Sequence, residues 1–235
     1  MNITKEKELK FMKTKTEIKN EAKNVVKKNF KNILVGLIPV SLAYLLMSLK
    51  LGLLSTVAEI IWCLILYGIL LICLNAVNND NCLTENPLKD SFMIFSKKYF
   101  WPTIKLVFMS DVLILAWSLL LIVPGIIKSF AYSQAFFIMK EHIDNGEKVT
   151  ARQCIIESKR LMDGQKGKFF VLVLSFMGWI ILSSLVIGFV SSLMTISNIF
   201  IIVLYVAVLF FMVLLLYIYY SKALFYRELV DNKNN

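Results

Sequence analysis

The chain has 235 residues, of which 58% are hydrophobic and 18% charged, and its mean hydropathy is +0.69. Soluble domains hold about 45–50% apolar and about 25% charged residues, so a water-soluble core is excluded and the length leaves no room for a soluble domain beside a membrane one. The formal charge of +10 comes from basic residues that flank apolar runs, which assigns it to topology and acidic headgroups rather than to nucleic acid.

In chain order, residues 1–32 form a basic segment with ten lysines. Ile18, Ala22, Val25, Val26 and Phe30 share one helical face, and Lys15, Lys19, Lys23, Lys27 and Lys31 follow one another at steps of four on another. This lead is far longer than the basic region of a cleavable signal, so none is expected. Apolar runs over 33–49 and 53–77 predict the first two spans, since one crossing takes about 20 residues. After the polar stretch 78–90, Leu88, Phe92, Phe95 and Tyr99 form a stripe at i, i+4, i+7 and i+11, with Lys89, Lys97 and Lys98 beside it.

The next apolar run, 103–139, would measure roughly 55 Å as one helix, nearly twice the hydrocarbon thickness. Pro124-Gly125 sits in its middle and reads as a helix-breaking turn. It divides the run into spans over 103–123 and 126–139, the second short enough to be re-entrant. In the charged segment 140–168, Thr150 with Gln153 matches a capping box. Ala151, Ile155, Ser158 and Met162 align beside Arg152, Lys159 and Arg160, and Gly164 is placed to end the helix. Spans over 169–190 and 199–220 and a tail over 230–235 complete the chain, with the membrane domain over 33–229.

Charge tests this count. With both ends in the cytoplasm, six spans put 24 of the 26 Lys and Arg on the cytoplasmic side and leave only Lys50 and Lys128 outside. The expectation is an all-α polytopic membrane protein of six spans in three hairpins, each preceded by a basic amphipathic helix in the interface. Lys19, Lys23, Lys27, Arg152, Lys159, Arg160, Lys166 and Lys168 are the expected contacts to anionic headgroups.

Few residues carry chemistry. Asp111 lies near the middle of the third span, where an ionisable group marks a functional site by default; protonation or a partner Ser, Thr or Asn would serve as well. Glu59 and Lys128 lie at matching depth near the outer face, either as an ion pair or snorkelling separately. His142 is the only histidine and sits among charged residues, so neither a catalytic dyad nor a metal site is expected. Cys63, Cys73, Cys82 and Cys154 show no CxxC spacing and read as reduced thiols. No nucleotide, hydrolase or metalloprotease fingerprint is present, so no cofactor is expected.

The stretch from Trp117 through Pro124-Gly125 to Phe137 continues in Glu157–Phe169, with its Ser158-Lys-Arg-Leu-Met162 segment. It continues again in Leu174–Trp179 with its Gly-Trp pair, and in Ala223–Leu229. In this order the motifs resemble a bacterial family of integral membrane proteins catalogued as domain of unknown function 975. The chain departs from the pattern in lacking a Pro-Tyr pair before the last span and in having Gln165 where a histidine is common. The resemblance implies a multi-span protein of the bacterial cytoplasmic membrane and supplies no activity or catalytic residue. The expected role is non-enzymatic, organising or protecting lipid or a partner membrane protein, as immunity-type proteins do. The alternative is a small transporter or permease-like subunit that uses Asp111, Glu59 and Lys128.

Overall fold

The structure, a computed structural model, describes residues 13–31, 33, 35, 37–38, 52–79, 89–90, 92–193 and 200–234. Among the described residues there is no strand, and the elements are helices: α1 (Lys15–Lys28), α2 (Leu53–Asn78), α3 (Phe100–Leu120), α4 (Ile122–Tyr132), α5 (Ala135–Asp144), α6 (Ala151–Leu161), α7 (Lys166–Leu193) and α8 (Phe200–Asn234). Five segments within them are long and apolar enough to cross a membrane: Glu59–Asn78, Phe100–Leu120, Ile122–Asp144, Lys166–Leu193 and Ile202–Lys233. The expected first span, 33–49, lies outside the described residues except for four helical positions, of which Ile33 and Leu37 are buried.

Among the described residues, polar contacts gather ends of α2, α3, α5 and α8 at one charged end. Glu228 of α8 meets Lys13 at 3.2 Å, and Arg227 donates to Asn78 of α2 at 3.5 Å. Lys98 reaches Asp144 at 3.1 Å and so ties the start of α3 to the end of α5, while the Tyr226 hydroxyl donates to Glu141 at 2.7 Å. These helices meet there by opposite ends, α2, α5 and α8 by their C-terminal ends and α3 by its N-terminal end. Their outer faces are apolar and exposed, as at Phe108, Leu115, Trp179, Leu185 and Phe210, which suits hydrocarbon as the solvent. Trp179, at 55% exposure, faces outward rather than packing between helices.

The break in the long apolar run falls at Leu121, not at Pro124-Gly125. Leu121 alone is extended (φ −160°, ψ 140°) between α3 and α4. Pro124 and Gly125 sit in the first turn of α4, where a missing N–H costs nothing because no intrahelical acceptor exists there. Gly125 has a different task. A Cβ built on it would lie 2.1 Å from the Ser118 hydroxyl and 3.0 Å from the Ser118 Cα, so its missing side chain lets α4 fold directly back on α3.

Two other expectations need correction. The stripe Leu88, Phe92, Phe95, Tyr99 does not form a surface helix over its described part: residues 93–95 make one 3₁₀ turn that buries Ile94 and leaves Phe92 and Phe95 exposed. The three-residue period of that turn moves the buried position off the four-residue stripe. The basic helices α1 and α6 do form, each with a capping box, Thr14–Glu17 and Thr150–Gln153. Their apolar faces, however, are packed on protein. Ile18, Ala22 and Val25 are buried, α1 runs antiparallel to the end of α8, and the Lys19 carbonyl accepts from the Tyr217 hydroxyl at 3.1 Å. Cys154, Ile155, Ser158 and Met162 turn α6 inward, and burial pushes the Cys154 thiol up to about 11.

α8 continues well beyond the expected end of its span at 220. At 35 residues it measures roughly 52 Å, against a hydrocarbon layer of about 30 Å. Its turns beyond 220 bury Ser221, Ala223, Leu224, Phe225, Tyr226, Glu228 and Leu229, and the helix continues through the expected tail to Asn234, with Asn232 and Lys233 exposed.

Gly125→Ala is expected to destabilise the folded state by about 1–3 kcal/mol through overpacking against Ser118, read as a lower thermal midpoint in detergent. Ser118→Ala in the same chain removes the nearest atom and is expected to restore part of the loss. A midpoint unchanged in Gly125→Ala would disprove the close approach.

Candidate functional site

Asp111 lines a cavity of about 180 Å³ between α2, α3 and the α4–α5 segment. Helical periodicity puts Val107, Ser110, Asp111 and Ile114 on one face of α3. Ser129, Tyr132, Ser133 and Phe136 do the same on the facing segment, and Tyr67 of α2 closes the side. Among the described residues Asp111 makes no hydrogen bond or ion pair.

The segment facing Asp111 is interrupted at Ser133–Gln134. The interruption has a specific cause. The Ser158 hydroxyl of α6 donates to the Ala131 carbonyl at 2.7 Å and accepts from the Gln134 amide at 3.1 Å, taking over backbone groups that the helix ladder has released. Ser158 and Gln134 are both fully buried. The Gln134 Nε2 donates to the Ser133 hydroxyl at 3.0 Å, while its Oε1 has no partner among the described residues. A polar break of this kind within an apolar segment is tolerated where it is covered by protein or lines a cavity.

The other two residues expected beside Asp111 are elsewhere. Lys128 holds its ammonium 4.4 Å from the centre of the Trp117 ring, a cation–π contact between α4 and α3. Glu59 is exposed on α2 and forms no ion pair with Lys128. The three do not constitute one site.

At the charged end, a second cavity of about 320 Å³ is lined by Glu141, His142, Glu147, Glu157 and Tyr226. Its carboxylates are engaged. His142 Nε2 meets Glu157 at 2.9 Å, its Nδ1 meets Glu147, and Glu141 takes the Tyr226 hydroxyl. Serving an acceptor on each ring nitrogen requires both to be protonated, so the arrangement is a charged clasp joining α5, the following loop and α6. Among the described residues no group of three or more His, Cys, Asp or Glu could hold a metal ion.

The third cavity, of about 560 Å³, is the largest of the three, and it opens between the starts of α1 and α7, with Lys13, Lys15 and Lys168 at its rim. Of the cations expected at headgroups, Lys23, Lys27, Arg152, Lys159, Arg160 and Lys168 are exposed. Lys166 is half-exposed and lies 3.7 Å from Asp163. Lys19 turns inward, its ammonium 4.7 Å from the centre of the Phe176 ring.

Sequence reasoning missed Ser110, Ser129, Ser133, Gln134 and Ser158. The spacing of Ser129 and Ser133, one helical turn apart and facing a carboxylate, was a readable signal. The insertion of Ser158 was not, because its partners lie 24 and 27 residues away.

Among the described residues the chain is all-helical, with five segments long and apolar enough to cross a membrane, and this defines the class of an α-helical protein with the features of a membrane protein. The chain belongs to the family described as Protein of unknown function (DUF975), which it matches over residues 42–233. Comparison with curated proteins and with solved structures finds no match.

Ser158→Ala strands a buried carbonyl and a buried amide, a loss expected to cost about 1–3 kcal/mol. Hydrogen exchange should then rise at residues 131–135 more than elsewhere in the bundle. A uniform change, or none, would show that Ser158 does not hold the break.

Proposed function

We propose that the protein is a non-enzymatic six-span protein of the bacterial cytoplasmic membrane, with both ends in the cytoplasm, that organises or protects anionic lipid or a partner membrane protein. The observation that carries this reading is the outward array of Lys23, Lys27, Arg152, Lys159, Arg160 and Lys168 on helices whose opposite faces are packed into the bundle. Cations already held in place lose less freedom on engaging a surface, and each is worth about 1 kcal/mol near an acidic bilayer. In nanodiscs, the thermal midpoint is expected to be higher by about 5 °C in phosphatidylglycerol than in phosphatidylcholine. The difference should shrink as salt rises from about 0.1 to about 1 M, and in an Arg152→Glu/Lys159→Glu/Arg160→Glu chain. Equal midpoints in both lipids would overturn the reading.

A specific observation favours a second reading, a small transporter or permease-like subunit. Asp111 lines a largely apolar cavity that also holds the Ser110, Ser129 and Ser133 side chains, beside an interrupted helix, and transporters place binding sites at interrupted helices near the midplane. Under this reading Asp111→Asn in proteoliposomes abolishes a proton-dependent solute flux that the wild type supports. If every flux tested survives the substitution, the reading loses its support.

A further inference from the structure

We propose that the groove between the starts of α1 and α7 is a binding site for the headgroup of one anionic phospholipid. This deepens the lipid-contact reading and rests on it, but commits to one place. Lys13, Lys15 and Lys168 stand at the rim, and Ile18, Leu172 and Phe225, all buried, form an apolar floor.

The three lysines have different parts. Lys13 is held by Glu21 at 2.8 Å and Glu228 at 3.2 Å, so it fixes the wall between α1 and α8 and brings little spare charge. Lys15 is exposed and makes no ion pair among the described residues, and Lys168 faces it from α7. Lys15 and Lys168 thus place one cation on each side of the groove, from α1 and from α7.

Two helix starts open on the same groove. α1 begins at Lys15, and its one first-turn acid, Glu17, is turned back to accept from the Thr14 amide at 2.7 Å. α7 begins at Lys166 with no acid in its first turn and with Lys166 and Lys168 there instead. Cations at a helix N-terminus oppose the helix dipole, so this arrangement gains from an anion at the mouth. Gly167 leaves that mouth open: a Cβ there would meet nothing within 4 Å.

The floor and its continuation select a lipid over a free anion. From the groove, Val171 and Leu174 run exposed down the outside of α7 into its apolar stretch. A phosphate seated between Lys15 and Lys168 would thus have its acyl chains along a ready apolar track. Inorganic phosphate would gain nothing from the floor, and a zwitterionic headgroup would bring its own cation against the lysines.

The test uses the full chain purified in a neutral detergent, with bound lipid counted by native mass spectrometry. Phosphatidylglycerol is expected to be retained at least about tenfold better than phosphatidylcholine, and millimolar inorganic phosphate should not displace it. Lys15→Glu/Lys168→Glu should abolish the preference and Lys15→Gln/Lys168→Gln reduce it, with the thermal midpoint confirming that both chains are folded. A charge-matched Lys97→Glu/Lys148→Glu chain should keep it. Retained preference in folded Lys15→Glu/Lys168→Glu overturns the groove while leaving the wider lipid reading standing. No preference in the wild type overturns the groove, and equal midpoints in the two nanodisc lipids would take the wider reading with it. Displacement by inorganic phosphate overturns the lipid assignment.

Discussion

The charged end is organised around the length of one helix. α8 is longer than a crossing of about 30 Å requires, and its last turns still bear large apolar side chains. Those side chains have to be covered by protein, and every neighbouring element contributes. Phe169 of α7 packs on Phe225 and Phe137 of α5 on Tyr226, each with ring centroids 5.2 Å apart. α1 lies along the same turns, pinned by Lys13 to Glu228 and by Tyr217 to the Lys19 carbonyl. The buried face of α1 follows from this demand, whereas α6 is covered by α3, α4 and α5; an apolar face already covered by protein is not available to lipid.

The interrupted segment facing Asp111 depends on the same assembly. A helix broken inside the apolar layer leaves backbone groups that lipid cannot satisfy. Here α6, folded against the bundle by its buried Cys154 and Ile155, delivers the Ser158 hydroxyl to the break. The cavity at Asp111 and the packing of a charged-end helix are thus physically connected. On the far side, Gly125 permits the close return of α4 on α3, and Lys128 finds the Trp117 ring within the hairpin. The Lys128 cation thereby has an aromatic partner rather than a carboxylate.

Much of the architecture was readable from the residues. The apolar runs gave helices close to their expected limits in α2, α3 and α7, because a span has to satisfy its own backbone and so its length follows from composition. The Thr150–Gln153 capping box was legible for the same reason: its partners are three residues apart. Where the reading failed, the cause was non-local. Pro124-Gly125 marked the right hairpin but not the turning residue, since proline is equally at home in the first turn of a helix. The amphipathic stripes of α1 and α6 were correct as stripes, yet a stripe carries no information on whether lipid or protein will cover it.

By itself, then, the sequence determined that this chain is helical, that several of its segments are apolar enough to cross a membrane, and where most of those helices lie. These are properties of composition and short spacing, set by the cost of exposing apolar side chains to water or backbone to lipid. Only the tertiary structure decided that Asp111 faces a polar break while Glu59 and Lys128 do not, that Ser158 closes that break, and that Lys15 and Lys168 meet across one groove. Each of those depends on which helices come together, and hydrogen bonds and charges reach only a few ångströms, whereas the residues that share them are tens to hundreds of positions apart.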